Sequence, residues 1–420
     1  MKQKENSSLK QLVPELRFPE FANAGVWEER KLGEIGEVVS GLTYSPDDVN
    51  EKGVLVLRSS NIQDGVLSFE DNVFVKTNSY NAVKENDILI CVRNGSRNLI
   101  GKNALIKKES EGMAFGAFMS IYRSNYNLFL YQWFSSDFFF NQVKKNLGAT
   151  INSINGNDLK KYKVFFPSLP EQQKIADCLS SLDDVISLES QKLKSLLSYK
   201  KGLLQNLFPA EGETVPRLRF PEFEGTVDWE ERKLGEVATP VTERANETQM
   251  HNILSLTAES GLVLQSDYFG KKIAGTDVSR YIKIKEHDFV YNDRTTKSYP
   301  YGALKRLENI ESGIVSPIYK CFRFGINQNS SFWSHYFESG LHEIEIKKLV
   351  NEGARAGRFN ISISQFLNIS VKIPSGSEQQ KIANCLSSVD ALIQEQSDRV
   401  EKLKSHKKGL LQGLFPVMGE

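Results

Sequence analysis

The sequence predicts an α+β fold made of two mixed α/β domains, joined by two long helices that pair as an antiparallel coiled coil. Three observations lead to this prediction. A block of helical sequence at 171–176 returns unchanged at 378–383. After both copies, leucine, isoleucine and valine recur in steps of three, four and seven residues. Short β-branched and aromatic runs of strand length lie elsewhere. Duplication of a whole domain explains all three, so we expect a pseudo-two-fold internal repeat.

The repeated segments form a frame that occurs twice in the chain. The matched pairs are 16–21 with 218–223, 27–34 with 229–236, 171–176 with 378–383, and 201–205 with 408–412. The blocks between them, 40–148 and 242–353, share little sequence, so the frame holds two different inserts. A chain of 420 residues is also too long for one ordinary core. The predicted boundaries are a first domain at 1–169, a first helix at 170–209, a second domain at 210–376, and a second helix at 377–420.

The two helices are predicted from their apolar stripes and their end signals. Pro170 precedes the acidic Glu171, which suits a first helical turn, and Pro209 ends the pattern. Neither helix has a second apolar face, so each stripe needs the other as its partner. Only a short segment connects the first helix to the second domain, so the second helix must run back antiparallel. The stripes are Leu179, Leu182, Ile186, Leu193, Leu196, Leu203 and Leu207, then Leu386, Val389, Ile393, Val400, Leu403, Leu410 and Leu414.

Each domain is predicted to mix strands with amphipathic helices. In both domains a helix is expected late in the insert, at 129–147 and at 332–350. Turn signals such as Asn94-Gly95 separate the shorter elements. The predicted strands are 54–57, 87–92 and 162–166 in the first domain, and 253–256, 288–291 and 369–373 in the second.

Composition gives few indications of function. The chain has 53 Lys and Arg against 52 Asp and Glu, a formal net charge of +1, so only a local basic surface could attract nucleic acid. The apolar runs are of strand length, and residues 1–6 contain no apolar signal region. A soluble, cytoplasmic protein is therefore expected, with no membrane partner.

The repeated frame resembles the specificity subunit of Type I restriction-modification systems. The resemblance is carried by the twin Pro-Ser-x-x-Glu-Gln-Gln-Lys-Ile-Ala helix starts, the twin Lys-Gly-Leu-Leu-Gln helix ends, and the twin Leu-Arg-Phe-Pro-Glu-Phe and Trp-Glu-Glu-Arg-Lys-Leu-Gly-Glu segments. It covers the whole chain in architecture, whereas the two inserts match the family only in general form.

The resemblance implies two target-recognition domains, each reading one half of a bipartite, asymmetric site in double-stranded DNA. It implies that the helices set the spacing of the half-sites and dock two modification (methyltransferase) subunits, and that restriction subunits with translocase and endonuclease activity join the complex. Methylation and cleavage would then be performed by those partner chains.

The sequence lacks the motifs of an enzyme that does this chemistry itself. It contains no Gly-x-x-x-x-Gly-Lys-Ser/Thr loop, no Gly-x-Gly-x-x-Gly turn and no Asn-Pro-Pro-Phe or Asp-Pro-Pro-Tyr signature. The five histidines are dispersed and no Cys-x-x-Cys pair occurs. We therefore predict a non-catalytic protein with no cofactor and no metal site. A coiled-coil spacer protein with protein ligands is the alternative.

Candidate DNA contacts are polar and basic residues on loops, because base edges accept bidentate contacts and phosphates need positive charge. Polar loops follow the strands that end near Val92 and Tyr291, and a second polar segment precedes the return to the frame in each domain. The alternative for any one of these residues is a solvated hairpin tip. The candidates are Arg58, Asn61, Arg93, Asn94, Arg97, Asn98, Lys102 and Asn152 in the first domain, and Arg294, Lys297, Tyr299, Arg355, Arg358 and Asn360 in the second.

Frame residues are expected to hold the structure together or to face partner subunits. The duplicated pairs Trp27/Trp229, Phe18/Phe220 and Phe21/Phe223 are predicted to seat each domain on the helix pair, with a partner surface as the alternative. Four glutamines near the helix starts are predicted to lie on an exposed, partner-facing side: Gln172, Gln173, Gln379 and Gln380.

Overall fold

The computed structural model of the chain has two structural units, and each long helix has residues in both of them. Unit 1 comprises Met1–Ser190 and Asp398–Glu420, and unit 2 comprises Gln191–Ser397. Each unit therefore contains the beginning of one long helix and the end of the other. The structure describes residues 12–147, 152–245, 252–257, 261–269, 278–297, 299–349 and 359–416.

Unit 1 is a mixed α/β unit. Its strands are β1 (Glu28–Lys31), β2 (Glu37–Ser40), β3 (Val49–Leu57), β4 (Ile62–Gln63), β5 (Val66–Leu67), β6 (Phe74–Val75), β7 (Ile88–Cys91), β8 (Asn103–Leu105), β9 (Ala114–Phe115), β10 (Met119–Arg123) and β11 (Lys163–Phe166). Its helices are α1 (Leu32–Ile35), α2 (Asn127–Phe134), α3 (Asp137–Asn146), α4 (Gly156–Leu159) and the first part of α5 (Leu169–Leu207). Short 3-10 helices cover Pro19–Phe21, Pro46–Asp48, Ser59–Asn61, Arg97–Leu99 and Lys108–Ser110.

The main sheet of unit 1 is antiparallel in the order β2, β10, β7, β8. A second sheet places β3 between β6 and β9, and there β3 runs antiparallel to β6 but parallel to β9. Two smaller antiparallel pairs join β1 to β11 and β4 to β5. Strand β7 is buried at every position because both faces of the sheet are covered: Ile88 and Ile90 belong to one apolar cluster, and Leu89 and Cys91 to another.

Unit 2 repeats this plan with different lengths. Its strands are β12 (Glu230–Lys233), β13 (Ala238–Pro240), β14 (Ile253–Thr257), β15 (Gly261–Leu264), β16 (Ile282–Lys285), β17 (Phe289–Asn292), β18 (Ala303–Arg306), β19 (Ser312–Val315), β20 (Lys320–Phe324) and β21 (Ser370–Ile373). Its helices are α6 (Gln265–Phe269), α7 (Ser330–Glu338), α8 (Leu341–Leu349), α9 (Ile363–Leu367) and the first part of α10 (Gly376–Leu414), with 3-10 helices at Pro221–Phe223 and Leu234–Glu236.

The main sheet of unit 2 has the order β13, β20, β17, β18, and it is again antiparallel. A second sheet, β15, β14, β19, β16, contains one parallel pair, between β14 and β19. Strands β12 and β21 form the small pair that corresponds to β1 and β11. The predicted α+β class and internal repeat are confirmed.

The predicted strands match β3, β7, β11, β14, β17 and β21, but each amphipathic helix predicted late in an insert is two helices. In unit 1 the break lies at Ser135 and Ser136, whose hydroxyls donate to the carbonyls of Tyr131 (3.0 Å) and Trp133 (2.6 Å). In unit 2 the break contains Gly340, whose φ of 84° suits glycine. The prediction of one helix was wrong because hydroxyl and glycine termination signals interrupt the apolar period.

The two long helices run antiparallel within each unit. In unit 1, Asp183 of α5 pairs with Lys407 of α10 at 2.6 Å, and Glu189 pairs with Arg399 at 2.8 Å. Residue numbers therefore rise along α5 as they fall along α10. In unit 2, Lys200 of α5 contacts Asp390 of α10 at 2.6 Å. The predicted stripe contributes buried residues in both units, namely Leu179, Leu203, Leu207, Leu386, Val389, Val400 and Leu414.

An aromatic cluster attaches each unit's N-terminal segment to the end of a long helix. In unit 1, Trp27 is 1% exposed and makes edge contacts with Phe129 and with Phe415, just after α10. In unit 2, Trp229 contacts Phe332, and Phe208 just after α5. Aromatic pairs of this kind add about 0.5–1.5 kcal/mol beyond their buried area. The predicted seating role of the two tryptophans is confirmed.

Buried ion pairs fasten the helix starts. Arg17 forms a bidentate pair with Glu171 at 2.7 and 2.8 Å, and Arg219 forms the matching pair with Glu378 at 2.9 and 2.8 Å. Both carboxylates are almost fully buried.

The prediction of four exposed glutamines beside these ion pairs was wrong for two of them. Gln172 and Gln379 are buried, and their amides donate to the carbonyls of Pro167 and Pro374. They fix the chain entering each helix, whereas Gln173 and Gln380 are exposed.

Candidate nucleic-acid interface

In unit 1 the structure joins the two polar segments that the sequence separates by more than fifty residues. The backbone N–H of Ile154 donates to the Val92 carbonyl at 2.8 Å, and Arg93 forms an isolated antiparallel bridge with Ser153. The Asn152 amide donates to the Gly95 carbonyl at 3.2 Å. Residues 93–98 and 152–154 therefore form one polar surface at the end of β7, which we call the unit 1 loop surface.

The side chains of the unit 1 loop surface divide into those that shape the loop and those that are free to reach outward. Asn94 shapes it: its Oδ1 accepts from the Ser96 N–H at 2.9 Å, and its amide donates to the Ser59 hydroxyl at 3.1 Å. Arg97 donates to the Leu147 carbonyl at 3.0 Å but is exposed overall. Asn98 is exposed too, and Lys102 is half-buried nearby.

Arg93 is the most prominent cation of this surface. Its side chain is exposed, and the guanidinium carbon lies 5.8 Å from the centre of the Phe118 ring. This distance lies within the range of a cation–π contact, which orients the planar guanidinium while its N–H groups stay available. Arg93 can therefore present a bidentate donor to a ligand.

The early loop of unit 1 corrects one prediction. Asn61 is fully buried, and its Oδ1 accepts from the Arg58 N–H at 2.9 Å while its amide donates to the carbonyls of Ser68 and Asp71, both at 3.1 Å. A side chain used in this way cannot reach a base edge, so Asn61 shapes the loop. Arg58 is half-buried and pairs with Asp71 at 2.9 Å.

Unit 2 contains the corresponding site at the end of β17. Arg294 is exposed, and its N–H donates to Asn292 Oδ1 at 3.2 Å. The Phe359 N–H donates to the Asp293 carbonyl at 3.2 Å, so the later polar segment again meets the strand end. Asp293 is buried and pairs with Lys320 at 2.5 Å.

The remaining unit 2 candidates lie around this strand end or outside the described residues. Lys297 and Asn360 are exposed, and Asn360 has a left-handed φ of 62°. Tyr299 is half-buried, with Lys305 Nζ 5.8 Å from its ring centre. Arg355 and Arg358 lie outside the described residues.

Two equivalent ion pairs of a buried aspartate show that Arg93 and Arg294 occupy the same place in the repeat. Asp87 precedes β7 and pairs with Arg123 of β10 at 2.6 Å, and Asp288 precedes β17 and pairs with Arg323 of β20 at 2.5 Å. Each aspartate also accepts the N–H of the third residue before it, at 2.8 Å. Counting six residues onward from Asp87 and from Asp288 gives Arg93 and Arg294.

Sequence reasoning missed two exposed apolar residues at these sites. Phe118 precedes β10 and is 56% exposed, and Ile318 precedes β20 and is 47% exposed. No local signal distinguishes Phe118 from the fully buried Phe115 three residues earlier, since both lie in the same apolar run. Only the position of the turn between β9 and β10 exposes one and buries the other.

The cysteine next to the unit 1 loop surface is not a reactive thiol. Cys91 ends β7 and is fully buried, and burial raises the pKa of its thiol to about 11. At neutral pH the thiolate, which is the nucleophilic form, is therefore scarce.

A second polar cluster in unit 2 brings together one histidine and two carboxylates. His335, Glu338 and Asp390 place potential metal-ligand atoms within 4.8 Å of one another. Lys200 Nζ already lies 2.6 Å from both carboxylates, so an ammonium group supplies the positive charge there. Burial alone would raise the pKa of Glu338, but the hydrogen bonds with His335 and Lys200 outweigh it and lower the pKa to about 2. The cluster is an ion-pair network that links α5, α7 and α10.

A frame that occurs twice and carries two different polar loops is typical of a modular recognition protein. The chain belongs to the family of the Type I restriction modification DNA specificity domain, whose profile matches residues 25–198 and 311–404, more than half of its length. The predicted resemblance is confirmed.

Known relatives agree with this family assignment. The chain is 24% identical to a putative type I restriction enzyme specificity subunit, MjaX, of Methanocaldococcus jannaschii, over 92% of each chain. It is 23% identical to the EcoKI specificity subunit of Escherichia coli K12, over 67% of this chain and 65% of that protein. Its fold is similar to the crystal structure of a Type I system S subunit from M. genitalium, with a TM-score of 0.61 and 15% identity over 97% of this chain and all of that one.

In the described part of the chain, no helix combines the length and the apolar character needed to cross a membrane.

Proposed function

We propose that this chain is the DNA-recognition subunit of a Type I restriction-modification complex. Unit 1 reads one half of a bipartite, asymmetric target in double-stranded DNA, and unit 2 reads the other half. The long helices dock two modification (methyltransferase) subunits, and restriction subunits join the assembled complex. The chain itself is non-catalytic and acts in the cytoplasm, where the DNA of the host lies.

The observation that carries this proposal is the shared position of Arg93 and Arg294. Both are exposed two residues after a buried strand of the main sheet. Arginine makes bidentate contacts with guanine in the major groove and also pairs with phosphate. The neighbours differ, since Asn94 and Phe118 flank the first arginine whereas Thr295 and Ile318 hold the corresponding positions beside the second. A common frame with unlike neighbours suits two readers of unlike half-sites.

The non-catalytic role is supported by what surrounds these arginines. The thiol at the end of β7 is buried with a raised pKa, and the carboxylate at the end of β17, Asp293, is buried against Lys320. Neither group is placed to attack DNA. The nearby polar side chains of unit 1 instead hydrogen-bond within the loop.

The test is methylation mapping in the host with and without this chain. A bipartite methylated motif should vanish when the chain is deleted and return with the wild-type chain. Arg93→Ala should relax selectivity in one half-site only, and Arg294→Ala in the other. The purified chain alone should neither methylate nor cleave that motif, whereas adding the modification subunits should restore methylation.

Two results would count against the proposal. An unchanged methylation pattern after deletion would exclude this role in DNA modification. Absence of sequence-selective, salt-dependent binding to the motif, even with the modification subunits present, would instead favour a coiled-coil spacer with protein ligands.

A further inference from the structure

Phe118 is an aromatic side chain fixed beside the unit 1 loop surface. The Gly116–Met119 turn, closed by a 2.8 Å hydrogen bond from the Met119 N–H to the Gly116 carbonyl, carries it. Its own carbonyl accepts the N–H groups of Val92 and Arg93, at 3.0 and 3.1 Å. The backbone is therefore held to the end of β7, although 56% of the residue is exposed.

The Arg93 guanidinium lies over the Phe118 ring, with its carbon 5.8 Å from the ring centre. Phe118 nevertheless stays 56% exposed. Any flat ligand that reaches the Arg93 donors therefore meets an apolar group directly next to them. A single exposed apolar residue is common on protein surfaces, so exposure alone says little.

An exposed apolar residue holds the equivalent position in unit 2, which makes the exposure informative. Tyr122 of β10 pairs with Ile88, and Phe322 of β20 pairs with Phe289. Counting back four residues along each strand gives Phe118 and Ile318. Ile318 is 47% exposed and lies just before β20. Strand β20 pairs with β17, which is followed by Arg294. Ile318 therefore holds in unit 2 the register position that Phe118, the neighbour of Arg93, holds in unit 1.

We propose that Phe118 and Ile318 are specificity-determining residues that contact the 5-methyl group of a thymine, one in each half-site. This inference rests on the proposed function. The thymine methyl is the apolar feature of the major groove, where arginine also finds its guanine acceptors. An apolar side chain beside an arginine therefore suits a step that contains both a guanine–cytosine pair and a thymine.

The test uses the chain bound to its modification subunits and duplexes that carry the mapped motif. Each thymine of the motif is replaced singly by deoxyuridine, which lacks only the methyl group, and binding is measured by competition. Wild type should lose about 3–5-fold in affinity at one position of each half-site, the scale expected for one buried methyl group. Phe118→Ala should lose a similar factor on the unmodified duplex and become indifferent to deoxyuridine in the first half-site only. Ile318→Ala should do the same in the second.

Control variants separate this effect from misfolding and from general loss of apolar surface. Ile326→Ala in unit 2 and Val66→Ala in unit 1 remove other exposed apolar side chains, of 100% and 46% exposure. Both should bind like wild type and keep the sensitivity to deoxyuridine. Phe118→Leu keeps an apolar contact and should retain most of that sensitivity.

The results that overturn the inference differ from those that overturn the proposed function. If wild type ignores deoxyuridine at every position while Arg93→Ala still relaxes selectivity, the methyl contact is absent and the recognition role stands. If Phe118→Ala weakens binding equally on thymine and deoxyuridine duplexes, the ring acts in another way, such as insertion between bases, and the methyl assignment is wrong. If the wild-type complex bound DNA with no sequence selectivity, the proposed function itself would be overturned.

Discussion

Arg93 and Arg294 are equivalent residues with different surroundings, so each should control one part of the target. Arg294→Ala should cost about 1–3 kcal/mol of binding and relax selectivity at one position if its guanidinium contacts a base edge. Arg294→Lys keeps the charge but loses the bidentate fork, so it should relax selectivity nearly as much. The measurement is a binding profile over all single-base variants of the target.

A phosphate contact would give a different profile for Arg294. Binding would then weaken alike on all sequences, the lysine variant would bind like wild type, and the salt slope would fall by about one unit in the alanine variant. That outcome would contradict the base-contact assignment for this residue.

Asn61 should be important for stability and not for DNA binding. Asn61→Ala removes the acceptor for the Arg58 N–H and leaves the Ser68 and Asp71 carbonyls without this donor. We expect a loss of about 1–3 kcal/mol in the free energy of unfolding, measured from denaturant midpoints. Asn98→Ala, at an exposed position of the neighbouring loop, is the control and should change little. Equal stability of the two variants would show that the buried amide network is not needed.

Among the structural elements, the two long helices are joined by one ion pair in each unit, and the two pairs are equivalent in the repeat. The helix that supplies the lysine in one unit supplies the aspartate in the other. Lys200 of α5 pairs with Asp390 of α10 in unit 2, and Lys407 of α10 pairs with Asp183 of α5 in unit 1. Both lysines are largely buried, with side chains 12% and 13% exposed. They should therefore stabilise more than an exposed surface pair does.

Lys200→Ala should destabilise unit 2 by about 1–3 kcal/mol, because Asp390 and Glu338 lose their common cation while solvent screens part of the loss. Lys404→Ala is the matched control on α10, since Lys404 is 40% exposed and its partner Asp64 is 82% exposed. Thermal or denaturant unfolding measures both variants. The expectation fails if the exposed lysine proves as costly to remove as the buried one.

The long helices should also set the spacing of the target. Each begins in one unit and ends in the other. Inserting one heptad into both α5 and α10 keeps the apolar stripes in phase, because the stripes follow a seven-residue spacing. The methylated motif should then gain a longer unread gap and keep both half-sites. Inserting three residues into both helices is the control and should abolish the activity of the complex. A matched heptad insertion that changed the bases read would contradict this role of the helices.

At the scale of the whole molecule, the two inserts should be exchangeable. Replacing residues 242–353 by the corresponding block of another family member should change one half-site and leave the other intact, because the frame on both sides of the block is repeated. The mapped methylation motif reports the result, and replacement of 40–148 is the reciprocal experiment. A change in both half-sites after one exchange would show that the units do not read independently.

The duplicated frame was predictable because it depends on local and periodic signals. The two long helices follow from stripes with heptad spacing and proline ends, and the central strands from β-branched and aromatic runs. The assignment of the four segments to domains and helices, with boundaries at 169, 209 and 376, stays a prediction. The breaks near Ser136 and Gly340 were missed, because one turn of hydroxyl or glycine signal is weak against a long apolar period.

Identical segments can be recognised without any structure, so the duplicated frame and its two unlike inserts follow from the residues alone. Which residues meet at each strand end depends on the packing of distant segments. That packing puts Asn152 beside Gly95, gives Arg93 and Arg294 equivalent positions in their own units, buries Asn61, and leaves Phe118 and Ile318 exposed. The physical reason is that burial and hydrogen-bond partners come from strands distant in the chain, so a polar or aromatic residue has the same local signal whether it faces the core or the solvent.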